Sequence, residues 1–171
     1  LIPGEDASWR VWKPRASSPS EALDTPAEYG DRSKPVLVGL PATTCRSVGL
    51  ILPQADHGLL HEMVSTQLER RGIKGPNGLP PSFRFYVLGH AGPNAIISVD
   101  VLVEPFPEEL AIQNAENYAA ALRLSQLPAS QLVIVEEQGE LVIAASHQGK
   151  LFHSHVFAQR PAEAETLAQE I

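Results

Sequence analysis

Residues 131–159 read QLVIVEEQGELVIAASHQGKLFHSHVFAQ. Three short runs of Val, Ile, Leu and Phe are interrupted by Glu-Glu-Gln-Gly-Glu and by His-Gln-Gly-Lys, so a glycine falls at each reversal. That pattern predicts a three-stranded antiparallel meander. Strand side chains alternate, which sets Leu151, His153, His155 and Phe157 on one side of the last run and Phe152, Ser154 and Val156 on the other. Neither side is purely polar, so both faces of the sheet are expected to be largely covered. The remainder of the chain is read outward from this stretch.

Upstream, residues 1–13 (LIPGEDASWRVWK) suggest a hairpin, with a turn at Pro3-Gly4-Glu5-Asp6 and Trp9, Val11 and Lys13 alternating with Arg10 and Trp12. Residues 14–34 carry Pro, Ser, Asp and Gly without apolar period and read as an exposed loop. Strands are expected over 36–40 and 47–52, on either side of Pro41-Ala-Thr-Thr, with Pro53 closing the second. Asp56 has the position of a helix N-cap. Leu59, Leu60, Met63, Val64 and Leu68 follow on one face, Arg70 and Arg71 lie in the last turn, and Gly72 is the stop. Residues 74–81 (KGPNGLPP) form a loop, and 83–88 and 95–103 are strands paired across His90-Ala-Gly-Pro-Asn. Pro105 and Pro107 with Glu108 and Glu109 predict a helix start. Ala111, Ala115, Tyr118, Ala119 and Leu122 extend it at helical spacing toward Pro128, the small alanines implying close approach to a neighbour. A last helix is expected from Pro161, with Leu167 and Ile171 four apart.

The chain has 171 residues, 43% hydrophobic and 19% charged, enough for one domain or two small lobes with a buried core. Thirteen basic and 20 acidic side chains give a net charge of -7 with no basic stripe, which disfavours nucleic acid and anionic lipid as direct partners. One cysteine, Cys45, excludes an internal disulfide and any multi-cysteine metal site, and fits a reducing compartment. No window has the length of a membrane span and no signal-peptide layout opens the chain, so a soluble protein is expected. The strand-like Leu1-Ile2 and the helix-like end at Ile171 suggest an excised piece of something longer.

Several constellations invite chemistry. His147, His153 and His155 include an H-x-H pair on one strand face, an arrangement able to ligate zinc or copper, but no acid or cysteine is brought beside it by sequence; sheet-face histidines are the expectation. His57, His61 and Glu62 read H-x-x-x-H-E where a zincin needs H-E-x-x-H, so a structural or solvated role is expected. Cys45 lacks a nucleophile signature and reads as a small buried thiol. Glu136, Glu137 and Glu140 gather at a hairpin turn, where charges are ordinarily solvated. Neither a P-loop nor G-x-G-x-x-G occurs. No catalytic, cofactor-binding or metal residue is therefore assigned. Strand, helix, two strands, helix, strands also describes a ferredoxin-like split βαβ unit, the alternative of a small ligand-binding or regulatory module.

VIVEEQGELVIAASHQGKLFHSHVF resembles the opening strands of the second lobe in actin-like ATPase-fold proteins, most closely the PilM-type and GspL-type components of type IV pilus and type II secretion assembly platforms. LIPGEDASWRVWK is similar to their first hairpin. HGLLHEMVSTQLERRG, FRFYVLGH, AIISVDVLV and residues 105–127 resemble the inserted subdomain of their first lobe. The resemblance implies a mixed α/β chain: an actin-like, RNase H-like first lobe over 1–130 with a β-α-β-β-α insertion at about 53–127, and the start of a second lobe over 131–171. It implies a cytoplasmic scaffold at the inner membrane that binds the cytoplasmic segment of a membrane-anchored pilus or secretion protein, and in some members a motor ATPase. The first-hairpin Asp of such folds, as D-x-G, is matched here by Pro3 beside Gly4. The second-lobe Asp is matched by Glu136, with Gly139 displaced. Acids that hold magnesium are thus eroded, which implies a degenerate nucleotide site, a pseudo-ATPase without cofactor, in preference to an active actin-like ATPase.

Overall fold

The computed structural model describes residues 2–3, 9–11, 21–23, 37–108 and 117–157. It is a mixed α/β structure in which strands predominate. Strands β1 (Ile2–Pro3), β2 (Trp9–Val11) and β3 (Glu21–Leu23) make an antiparallel sheet in the order β1-β2-β3, with Ile2 opposite Arg10 and Trp9 opposite Leu23. The hairpin expected in the first thirteen residues is present, its turn lying outside the described residues. Residues 21–23, expected to be loop, instead add a third strand: β2 carries the buried Trp9 and Val11, and a partner on its second edge satisfies the backbone of that half-buried strand.

Strand β4 (Leu37–Leu40) lies beside β1 and pairs in parallel with β8 (Asn117–Ala120), Val38 opposite Tyr118 and Leu40 opposite Ala120. A helix was expected over these residues, and the structure corrects it: 117–120 are strand and Ala121–Leu124 a 3-10 turn. The alanines do permit close approach, but of strands. A Cβ built on Gly39 would meet the Ala121 Cα and the Ile2 Cγ2 at 3.0 Å, so a side chain at Gly39 would hold β4 and the turn after β8 apart. Tertiary packing outweighs the alanines' helical preference. Ala111 and Ala115 lie outside the described residues, as does the helix expected from Pro161.

Between β4 and β8 the chain inserts a unit of its own. Thr44 and Cys45 donate their N–H groups to the Pro41 carbonyl at 2.9 and 2.8 Å, turning the chain into β5 (Cys45–Pro53). Helix α1 (His57–Arg70) follows, then β6 (Phe83–Ala91) and β7 (Asn94–Leu102), with the antiparallel order β5-β7-β6. The helix starts where expected, Asp56 Oδ1 accepting the Leu59 N–H at 2.9 Å, and stops at Gly72, whose φ of 66° suits glycine. Its buried Leu60, Val64 and Leu68 pack on Val48, Leu50, Ile97, Val99 and Val101. At about 1.5–3 kcal/mol for each buried aliphatic side chain, those three anchor the helix by roughly 5–9 kcal/mol before chain entropy is charged.

The meander forms as expected: β9 (Leu132–Glu137), β10 (Glu140–His147) and β11 (Lys150–Val156) in the order β11-β10-β9. Both turns have two central residues at positive φ, Gln138 and Gly139 at 52° and 82°, Gln148 and Gly149 at 51° and 77°, the geometry whose twist matches antiparallel strands. One expectation fails. Ala145 pairs with His153 but Ser146 with Leu151, so Phe152 is an extra, bulged residue. The bulge moves Leu151 onto the face of Ser154 and away from His153. Leu151 there joins Val142 and Ala144 in a core shared with Trp9, Val11, Val38 and Leu40. Among the described residues the strands divide into sheets of two and three, whereas a ferredoxin-like unit has a single four-stranded sheet.

Candidate functional site

Strand β7 turns Ala95, Ile97, Val99 and Val101 toward α1 and Ser98 and Asp100 to the opposite face, by simple alternation. Asp100 is wholly buried, and it gathers partners from three elements. Ser47 Oγ of β5 donates to Oδ1 at 2.7 Å, and the Ala120 N–H at the end of β8 donates to Oδ2 at 3.1 Å. Arg123, in the 3-10 turn after β8, donates from Nε to Oδ2 at 2.8 Å and from Nη2 to Oδ1 at 2.6 Å. The same guanidinium reaches Ser98 Oγ at 2.6 Å and the Leu151 carbonyl of β11 at 3.3 Å, and lies over the Tyr86 ring at 4.0 Å. This forked pair therefore ties the inserted unit, the parallel pair and the meander to one point. Burial, then the Asp100 charge, pushes the Tyr86 phenol up, with Arg123 acting in the opposite sense.

A second polar contact joins the inserted unit to the meander. Among the described strands β5 and β11 are both at sheet edges, and they meet without a backbone ladder. Ser154 Oγ accepts the Ser47 N–H at 3.0 Å, and His153 Nδ1 accepts the Gly49 N–H at 3.3 Å. Arg71 Nη1 donates to the Gly49 carbonyl at 3.3 Å. The bulged Phe152 ring rests on Gly49, where a Cβ would come within 2.4 Å of it. Accepting from Gly49 requires an unprotonated Nδ1, and burial first, then Arg46, His155 and Arg71, lowers the His153 pKa below its ordinary 6.5.

Glu137 closes a third junction. It is buried at the end of β9, and its Oε2 accepts the Ala42 N–H of the turn after β4 at 2.8 Å. Burial raises its carboxyl pKa while the Ala42 hydrogen bond works against that rise. Glu136 and Glu140 are exposed beside it. Glu137 thereby departs from the solvated role expected of the turn acids.

The histidines do not converge. His153 is engaged with Gly49, His155 is edge-on to Phe157 at 6.2 Å, and His147 lies near Gly89. Among the described residues no three His, Cys, Asp or Glu side chains come together as a metal site. His57 and His61 lie against Phe85 and Phe83, with ring centroids 4.8 and 4.7 Å apart. Cys45 is fully buried, and burial, reinforced by Asp100, drives its thiol pKa far up, away from nucleophilic chemistry. What the arrangement does chemically is hold strands together. Asp100 and Arg123 went unassigned in the sequence, although each is the lone charge in an apolar run, AIISVDVLV and YAAALRLSQL.

No helix among the described residues is long and apolar enough to cross a membrane. Comparison with protein-family models and with curated proteins finds no match.

Proposed function

We propose that the chain is a scaffold of the actin-like type, binding the cytoplasmic segment of a membrane-anchored protein in a type IV pilus or type II secretion assembly platform, at the inner face of the inner membrane. The observation that carries the reading is the chain order. An antiparallel meander, β1 to β3, lies with its first strand beside β4; β4 and β8 are parallel; and the excursion between them is a β-α-β-β unit, after which a second meander begins. A first lobe with an inserted subdomain, followed by the start of a second lobe, accounts for that order.

The polar groups support scaffolding over ATP turnover. Pro3, at the position of the first-hairpin acid, offers no carboxylate, and the second-lobe Asp is matched by Glu136 with Gly139 displaced from the spacing of such folds. Magnesium nucleotide binding needs acids around the metal and backbone donors around the phosphates, and that set is incomplete here. A motor ATPase is a further partner of this reading.

The test is calorimetric titration of residues 1–171 with peptides covering the membrane-proximal cytoplasmic segments of envelope proteins encoded beside it, and separately with magnesium ATP. Saturable binding of one such peptide is expected, with no ATP hydrolysis. Binding of none of them, or turnover of ATP, overturns the proposal.

A further inference from the structure

Two hydrogen bonds meet at the outer edge of Gly49 in β5. His153 Nδ1 of β11 accepts its N–H, and Nη1 of Arg71, the residue that caps α1, donates to its carbonyl, each at 3.3 Å. The N–H and C=O of one residue in a strand point the same way, so the imidazole and the guanidinium are neighbours. With Nδ1 accepting, the proton of a neutral His153 ring sits on Nε2, a donor turned away from Gly49. Arg46 lies earlier on β5. Alternation puts its side chain on the face of Val48 and Leu50, the face that α1 covers and from which Arg71 comes. Ser154 meets Ser47 and His153 meets Gly49, so the two strands run in opposite senses along the seam and His155 falls level with the Arg46 end. Among the described residues, the ionisable groups that act on His153 are Arg46, His155 and Arg71, none of them an acid.

Arg46 is the anomaly in this group. Its Nε is buried without an acceptor, and its guanidinium has no hydrogen bond or ion pair among the described residues. Arg123, by contrast, forks onto Asp100 at 2.8 and 2.6 Å. Buried donors without partners are rare in folded chains, and an ion or water commonly completes them. Arg46, His153 and His155 are half-buried and Arg71 is exposed, so solvent reaches the group. We propose that Arg46, Arg71 and His153 form an oxyanion site at the β5/β11 seam that takes a phosphate group, as the free ion or as a monoester. Two guanidinium charges match a dianion, where a carboxylate would match only one. Their planar forks suit phosphate oxygens, and the His153 Nε2–H adds a neutral donor. The chain as a whole carries a net charge of -7, so an anion is held by this local gathering and not by a general basic surface. The site stands independently of the scaffold reading.

The experiment titrates residues 1–171, labelled with nitrogen-15, with inorganic phosphate, with glycerol phosphate and with acetate. Ionic strength is held constant at about pH 7.5, where a phosphate monoester is a dianion. Nuclear magnetic resonance follows the arginine Nε–H and histidine ring signals. Phosphate is expected to displace the Arg46 and His153 signals saturably, and acetate to leave them nearly in place. Glycerol phosphate that binds as well as the free ion supports a monoester site, and binding of the free ion alone supports a site closed around it. Arg46→Gln and Arg71→Gln should each weaken binding about tenfold, the worth of one charged hydrogen bond, with the circular dichroism unchanged. Arg71 is exposed, so its variant decides the matter should Arg46→Gln fail to fold. An equal response to acetate, signals that drift without saturation, displacement confined to other residues, or a folded variant that binds phosphate as wild type does overturns the assignment.

Discussion

Arg123→Met is the substitution on which the architecture bears most directly. Methionine keeps much of the stem and removes the guanidinium, so Asp100, wholly buried, loses both charge-assisted bonds and keeps only Ser47 Oγ and the Ala120 N–H. Breaking one side of a buried ion pair costs about 3–5 kcal/mol, because the remaining charge is left in a poor solvent. Against a total stability of roughly 5–15 kcal/mol that is a large share, and at about 2–4 °C per kcal/mol for a chain of this size the thermal midpoint falls by about 6–20 °C. Urea unfolding followed by far-ultraviolet circular dichroism measures it, together with Asp100→Leu and the double variant. The double variant should be more stable than either single one, since replacing both partners leaves no orphaned charge. A cost for Arg123→Met below about 1 kcal/mol, the range of exposed pairs, or strictly additive losses in the double variant, refutes the reasoning.

Three further perturbations follow from the junctions. His153 has a folded pKa below its unfolded 6.5, so its neutral form favours the native state: the contribution is fully present above pH 6.5 and lost as pH falls toward the lower folded value. His153→Gln should flatten that part of the curve of unfolding free energy against pH, and an unchanged slope would count against the Gly49 hydrogen bond. Glu137 has a folded pKa above 4.5, so ionisation opposes folding as pH rises through 4.5 toward the higher folded value. Glu137→Gln, which keeps an acceptor for Ala42, should raise the urea midpoint at pH 7 and lose that advantage below pH 4.5; a lower midpoint at pH 7 would contradict the assignment. Gly49→Ala drives a methyl into the Phe152 ring and should cost about 1–3 kcal/mol, with Phe152→Leu restoring part of it in a double-variant cycle.

The elements announced by local chemistry are those the chain displays most openly. Asp56, Gly72 and the leucine stripe delimit α1 because a helix end must satisfy its own amides and a helix face must be buried. The meander is legible because Gln138-Gly139 and Gln148-Gly149 sit at its reversals. What escapes a local reading is decided by distant partners. Tyr118, Ala119 and Ala120 have helical spacing, yet β4 supplies a parallel neighbour that makes them strand. Residues 21–23 carry no alternation and become strand by pairing with β2. The bulge at Phe152 depends on Gly49 being close, a proximity that no window of sequence contains. Asp100 was visible as an anomaly in an apolar strand, but its pairing with Arg123 rests on β8 lying next to β4 rather than on any spacing along the chain.

The seam between β5 and β11 differs in kind from the ladders on either side of it. Two side-chain acceptors, Ser154 and His153, and one ring resting on a glycine join the edges there, whereas β10 and β11 share a backbone ladder on both sides of the Phe152 bulge. Pulled apart along the β5 direction, such a joint has few bonds to share the load and yields one contact at a time. The load on that seam falls on side-chain groups, so single substitutions at Ser154, His153 or Gly49 reach the whole of it, which no single substitution does in a backbone ladder.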